Sequence, residues 1–180
     1  MRTIFGGPAR SFLKAVPSLE FSVLSLETGN VQLSIRAATS TDLPAMMALE
    51  KHAATAAHWS VEQYQALFNP SSAGRVALII QEERGVQGFV IARAVGVEWE
   101  IENIAIAGPA RRRGLGTRLL GELLDLARSR GAESVFLEVR ESNLAARGLY
   151  EKWSFTESGR RRKYYKDPEE DAIQYRLGFA

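Results

Sequence analysis

Three groups of residues in this 180-residue chain have types and spacings that could do chemistry. The first is Arg111-Arg112-Arg113-Gly114-Leu115-Gly116-Thr117, lying between an apolar run that ends near Ala107 and a leucine-rich run that begins near Gly116. The first amide N–H groups of a helix have no partner within it and carry partial positive charge, so such a junction attracts phosphate. Glycine lets a ligand approach the backbone without a Cβ in the way, and the three arginines suit a pyrophosphate. The pattern is neither the G-x-x-x-x-G-K-[ST] nucleotide loop nor the G-x-G-x-x-G dinucleotide fingerprint, which argues against ATP and NAD. The second group is Glu138 in Val135-Phe136-Leu137-Glu138-Val139. Alternation puts it on one strand face with Phe136 and opposite Val135, Leu137 and Val139. A partly desolvated carboxylate there suits a base working near neutrality. The third is Tyr150, seven residues after Asn143. That spacing is about two helical turns, so both project from one face about 10 Å apart. A phenol stays protonated at neutral pH and can donate. Alone, each group has a plainer reading: a basic turn, a carboxylate paired with Arg140, and a packed core tyrosine.

The elements that must position these groups follow from period and punctuation. Val31–Arg36 alternates as a strand. Ser40, Thr41 and Asp42 offer caps, and Pro44 suits the first turn of a helix running from Leu43 to about Ala54. Ser60-Val61-Glu62-Gln63 is a capping box opening a second helix through Phe68. Arg75–Gln81 and Val86–Ala94 read as paired strands, and Glu98–Ala107 as a third, stopped by Gly108-Pro109. Leu115, Leu119, Leu120, Leu123, Leu124 and Ala127 follow helical spacing up to Gly131. Ser134–Arg140 is a strand, Ser142–Lys152 a helix and Ala172–Phe179 a closing strand. The expected class is α/β (α+β), a mixed central sheet with helices packed on both faces. Residues 1–30 are rich in Ser, Gly and Pro without a sustained period, and read as an extension of unknown role ahead of one domain, 31–180.

Composition narrows the chemistry. With no cysteine, thiolate zinc, iron–sulfur clusters and a cysteine nucleophile are excluded. Two histidines leave no expected metal site, and a net charge of +2 does not by itself imply nucleic acid. No apolar run is long enough for a signal or a membrane span, so the expected location is cytoplasmic. Glu98, Glu100 and Glu102 recur at period two, giving one carboxylate-lined face. Arg160–Lys163 followed by Tyr164 and Tyr165 is the densest basic run, and a solvated loop is the usual meaning of such a run. His58-Trp59 precedes the capping box, and for His58 a structural role outweighs a catalytic one.

Arg111-x-x-Gly114-x-Gly116 after the strand Ile101–Ile106 resembles the acetyl-CoA pyrophosphate loop of the GNAT (Gcn5-related) N-acetyltransferases. Leu137-Glu138-Val139-Arg140-x-Ser142-Asn143-x-x-Ala146-x-x-Leu149-Tyr150-Glu151 and Phe155 resemble its RimI-type branch, the ribosomal-protein-alanine N-acetyltransferases. Ile35-Arg36, Asp42-Leu43-Pro44, His58-Trp59-Ser60, Tyr164-Tyr165 and Glu170–Ile173 fit the same branch. The resemblance implies the GNAT fold and acetyl-CoA held by Ile104, Ala105, Ile106, Arg111, Arg112, Arg113, Gly114, Leu115, Gly116, Thr117, Asn143 and Tyr150. It implies Glu138 as general base and Tyr150 as general acid. Acetyl transfer from a thioester to an amine needs a deprotonated amine, a polarised carbonyl and a proton for the departing sulfur, with no covalent nucleophile. Glu100 or Glu102 is the reserve base, and that face could instead receive a cationic substrate. Trp59, Tyr164 and Tyr165 are the expected substrate walls.

The implied partner is a protein or peptide N-terminus, with a ribosomal protein as the leading single candidate; the chain itself is expected to be a monomer or homodimer that binds neither nucleic acid nor membrane. The alternatives are a GNAT enzyme for a small amine or a lysine side chain, and a non-catalytic acyl-CoA-binding module. Departures from the family lie at Glu141, Arg147, Gly148 and Trp153-Ser154-Phe155, where the family has L-G-F. If that turn is left-handed, serine there costs on the order of 1 kcal/mol.

Overall fold

In the computed structural model, which describes residues 26–27, 32–53, 57, 59–69 and 74–179, the alternating and helical runs assemble around one mixed sheet. The strands are β1 (Leu26–Glu27), β2 (Gln32–Ala37), β3 (Arg75–Glu82), β4 (Gly85–Val95), β5 (Glu98–Ile106), β6 (Ser134–Arg140), β7 (Thr156–Lys166) and β8 (Glu169–Gly178). The helices are α1 (Leu43–Lys51), α2 (Val61–Ala66), α3 (Leu115–Ser129) and α4 (Leu144–Lys152). The strand order is β1-β2-β3-β4-β5-β6-β8-β7. All neighbours are antiparallel except β5 and β6, which run parallel with α3 between them in the chain.

The central strands are apolar on both faces because helices cover both. Val76, Leu78, Ile80, Val90 and Ala92 pack with the leucines of α3 and with Tyr150 of α4. Ile79, Phe89 and Ile91 pack the other way, against Met46 of α1 and Tyr64 of α2. The helix ends follow local signals. Ser60 accepts from the Gln63 N–H, closing the box that opens α2. At the start of α1, the buried Asp42 takes both Arg36 guanidinium nitrogens at 2.8 Å and the Thr39 N–H at 2.8 Å.

Two differences from the sequence reading matter for the site. The basic run is a strand, β7, at the sheet edge rather than a solvated loop. It carries almost no buried residue, so neither an apolar face nor an alternation announced it. The second is a bulge in β5. Ile91 pairs with Asn103 but Ala92 pairs with Ile101, so Glu102 is the extra residue. Trp99 and Ile101 therefore face α3, whereas Ala105 faces α1. A strict period of two would have kept all three on one side. Of residues 1–30, only Leu26–Glu27 is described, and it forms β1 against β2; the rest of the expected extension, with Val31 and His58, lies outside the described residues.

Candidate active site

The decisive geometry is where the parallel pair stops pairing. The β5–β6 ladder runs from Glu98/Ser134 to Ile101/Leu137 and ends there, although β5 continues to Ile106 and β6 to Arg140. Past that point the strands splay, leaving the β6-facing backbone groups of the end of β5 without a strand partner. The opening is a cavity of about 1220 Å³. It is lined by Ile104, Ala105 and Ile106 of β5, by Arg111, Arg112, Gly114, Leu115, Gly116 and Thr117 of the loop, and by Glu138, Asn143 and Tyr150. Trp59, Glu100, Glu102, Tyr164 and Tyr165 line it as well.

Arg113 is the exception among the residues singled out from sequence. Its guanidinium lies 2.5 Å from the Glu82 carboxylate at the end of β3, and it is not part of the cavity wall. The reason is the backbone of the loop. Arg112 adopts φ 63° and Gly114 φ 78°, both left-handed, so successive side chains of the arginine run point in different directions. Glycine takes that conformation without a Cβ penalty, whereas an arginine in it is strained. Gly114 then begins α3 with no side-chain cap, leaving the first N–H groups of the helix facing the cavity.

Glu138 and Tyr150 reach the cavity from opposite sides of the sheet. Glu138 alternates with Val135, Leu137 and Val139, which are in the α3-side core, so it lies on the other face. Its carboxylate accepts from Arg161 at 3.0 and 3.3 Å and from the Gln174 amide at 3.0 Å. Tyr150 comes from the α3 side and is 3% exposed, with its ring against Phe155 and Tyr175. Its hydroxyl makes no hydrogen bond among the described residues. Burial, and secondarily the nearby Tyr165, push the phenol well above its usual range, so it stays protonated. Only the splay lets groups from both faces meet.

The acidic face is not bare. Arg75 grips Glu102 through two bonds of 2.8 and 2.9 Å, Arg93 holds Glu100 at 2.6 Å, and Arg176 holds Glu98 at 2.6 Å. These arginines come from β3, β4 and β8, so their placement opposite the glutamates is a matter of sheet register. The face therefore presents paired charges rather than bare carboxylates. Glu102, 11% exposed, is the more deeply held; the Arg161 partner of Glu138 is 52% exposed, and such a pair is easily exchanged. Arg75 and Arg161 were not singled out from sequence, because nothing local to them reports a partner 27 or 23 residues away.

Tyr164 and Tyr165 form an edge-to-face pair with centroids 5.1 Å apart. Arg161 lies over the first ring at 4.2 Å and the buried Arg140 over the second at 4.1 Å. Burial, followed by the charge of Glu138, pushes Tyr165 up to about 12. The Asn143 side chain accepts from the Ala146 N–H and caps α4, which aims Tyr150 two turns on.

The model of the acetyltransferase (GNAT) family matches residues 43–155. This chain belongs to that family. It is 37% identical over 137 residues to the ribosomal protein bS18-alanine N-acetyltransferase of Salmonella typhimurium, covering 75% of this chain and 90% of the relative. The crystal structure of the ribosomal-protein-S18-alanine N-acetyltransferase from Escherichia coli superposes with a TM-score of 0.73 at 33% identity, over 82% of this chain and 94% of that one. A ribosomal-protein-alanine N-acetyltransferase from Brucella melitensis gives 0.71 at 25% identity, over 81% and 99%. The chain is thus a GNAT acetyltransferase, and enzymes of this family use acetyl-CoA. The uncapped start of α3, two arginines and a free strand edge in one cavity are a donor set suited to a pyrophosphate and an amide-bearing arm. In the Trp153-Ser154-Phe155 turn, Ser154 takes φ 64°, so the turn is left-handed, the conformation in which serine is expected to carry a cost.

Proposed function

We propose that this GNAT enzyme transfers acetyl from acetyl-CoA to the N-terminal α-amine of a protein, with an alanine-terminated ribosomal protein as its first candidate. The observation that carries the reading is the convergence of Glu138 and Tyr150 from opposite faces on one cavity at the β5–β6 splay. Bound acetyl-CoA supplies an activated acyl group. The α3 N-terminus with Arg111 and Arg112 holds its phosphates, and the free edge of β5 aligns its arm. Glu138 takes the proton of the incoming ammonium, directly or through one water, and the Tyr150 hydroxyl holds a proton for the departing sulfur. Trp59, Tyr164 and Tyr165 wall the acceptor's approach, and the cytoplasm is where a ribosomal protein would be met. A relative whose own name specifies ribosomal-protein alanine acetylation, matched over nine-tenths of its length, supports the choice of acceptor.

The test is a panel of peptides with free or blocked N-termini and with internal lysines, incubated with acetyl-CoA and read by mass spectrometry. Acetylation of free α-amines, strongest on an alanine terminus, is expected. Modification confined to lysine side chains or small amines would replace the acceptor, and binding of CoA with no transfer would remove the enzymatic reading.

A further inference from the structure

Glu50, near the end of α1, is a carboxylate buried to 3% exposure within the apolar layer of Met46, Tyr64, Phe89 and Ile91. Its two oxygens go to two different walls of the cavity. Oε1 accepts from the Asn103 side-chain amide at 2.6 Å, and Oε2 accepts from the Trp59 backbone N–H at 3.1 Å. Asn103 is itself buried and follows the β5 bulge, in the stretch that no longer pairs with β6. Trp59 lines the cavity, with the Arg75 guanidinium over its ring at 5.9 Å. The buried Tyr64 hydroxyl faces the same carboxylate without completing a hydrogen bond.

Stability is a poor reason for a carboxylate at this place. Taking a charge out of water is costly, and apolar side chains in place of a buried polar group and its partners together commonly serve a core as well or better. What a carboxylate does, and a methionine cannot, is accept from two donors on separate elements at once. One donor belongs to the strand along which the cofactor arm would lie, the other to the segment that presents Trp59. We propose that Glu50 is a positioning residue for acetyl transfer: it holds the Trp59 wall at a set distance from β5 and thereby governs acceptor binding. The claim rests on the reading above that Trp59 borders the acceptor's path.

The test compares Glu50→Met with Glu50→Gln in the full-length protein. The methionine variant fills the volume and removes both acceptors. It is expected to raise KM for the best acetylated amine of the wild-type panel about tenfold, leaving KM for acetyl-CoA within about twofold; the thermal midpoint should fall, because the Asn103 amide and the Trp59 N–H lose their acceptor. The glutamine variant should recover most of the loss, because rotating both amides restores both hydrogen bonds. Adding Trp59→Ala to Glu50→Met should make acceptor KM no worse than Trp59→Ala alone, since Glu50 acts through Trp59. Hydrogen exchange at the Trp59 amide should speed up in Glu50→Met and slow again in Glu50→Gln. This last measurement needs no acceptor, so it remains decisive if no N-terminal amine is acetylated, a result that would count against the acceptor reading alone. Unchanged Trp59 exchange, additive losses in the double variant, or a parallel rise of both KM values would each overturn the proposal.

Discussion

Replacing Tyr150 by phenylalanine isolates one oxygen atom. The ring is 3% exposed and packs against Phe155 and Tyr175 at centroid distances of 5.8 and 6.1 Å, contacts that phenylalanine retains. The hydroxyl makes no hydrogen bond among the described residues, so its removal strands no buried partner, and stability should change by less than about 1 kcal/mol. If the hydroxyl donates the proton to the departing sulfur, its loss should lower kcat by about 10²–10⁴, equivalent to roughly 3–5 kcal/mol of barrier. The assay is direct, because the chain has no cysteine and a thiol reagent reports only the CoA released. Acetyl-CoA affinity should stay within about twofold, since the phosphate-binding role proposed above falls to the α3 loop. Burial also fixes a pH signature. The phenol lies well above its usual value of 10.0, so the wild-type kcat should show no alkaline limb belonging to Tyr150 below that pH. Turnover within about threefold of wild type, or a wild-type limb near pH 8–9 that vanishes in Tyr150→Phe, would refute the assignment.

Glu138→Gln should lower kcat by about 10² or more, whereas Glu100→Gln should change kcat little; the reverse order of the two losses would move the base to β5. Arg112→Ala should weaken CoA binding by about 1 kcal/mol or more, while Arg113→Ala should leave it within twofold, because Arg113 is bound to Glu82 outside the cavity wall; calorimetric titration of CoA distinguishes them. Asp42 is held at about 2 against an ordinary 3.8, by Arg36 first, with burial opposing and Thr39 adding to the effect. A depressed carboxyl stabilises above its unfolded value, so about 2 kcal/mol should be present at neutral pH and lost as pH falls from about 4 towards 2. Urea midpoints across that range should fall in the wild type and be both lower at neutral pH and flatter in Asp42→Asn.

Whatever depends on neighbours in the chain was legible before any coordinates. The strand Ser134–Arg140 appears with those bounds, and the α3 loop sits between a strand and a helix as its glycines require. The cap at Ser60 was visible in the residue types that open the helix, whereas Asn143, read as lying inside its helix, caps it instead. The face of Glu138 followed from alternation alone, since β6 pairs with β5 and β8 without a bulge. The same rule failed on β5, where Glu102 shifts the phase and no local signal marks an extra residue in a strand. Strand β7 was missed because an edge strand with both sides exposed has no buried face to pattern it.

The sequence by itself determined which groups were available: a phosphate-attracting turn, a carboxylate in an apolar strand, a tyrosine two turns beyond an asparagine. These are properties of period and capping that act within a few residues. Only the tertiary structure decided what the groups do to one another. The end of the β5–β6 ladder opens the cavity that brings Glu138 and Tyr150 together from opposite faces. Sheet register sets Arg75 and Arg93 on the glutamates of β5, and Glu50 reaches Asn103 across 53 positions of chain. Such contacts are selected by which strands lie side by side and where their hydrogen bonding ceases, and a one-dimensional pattern carries no record of either.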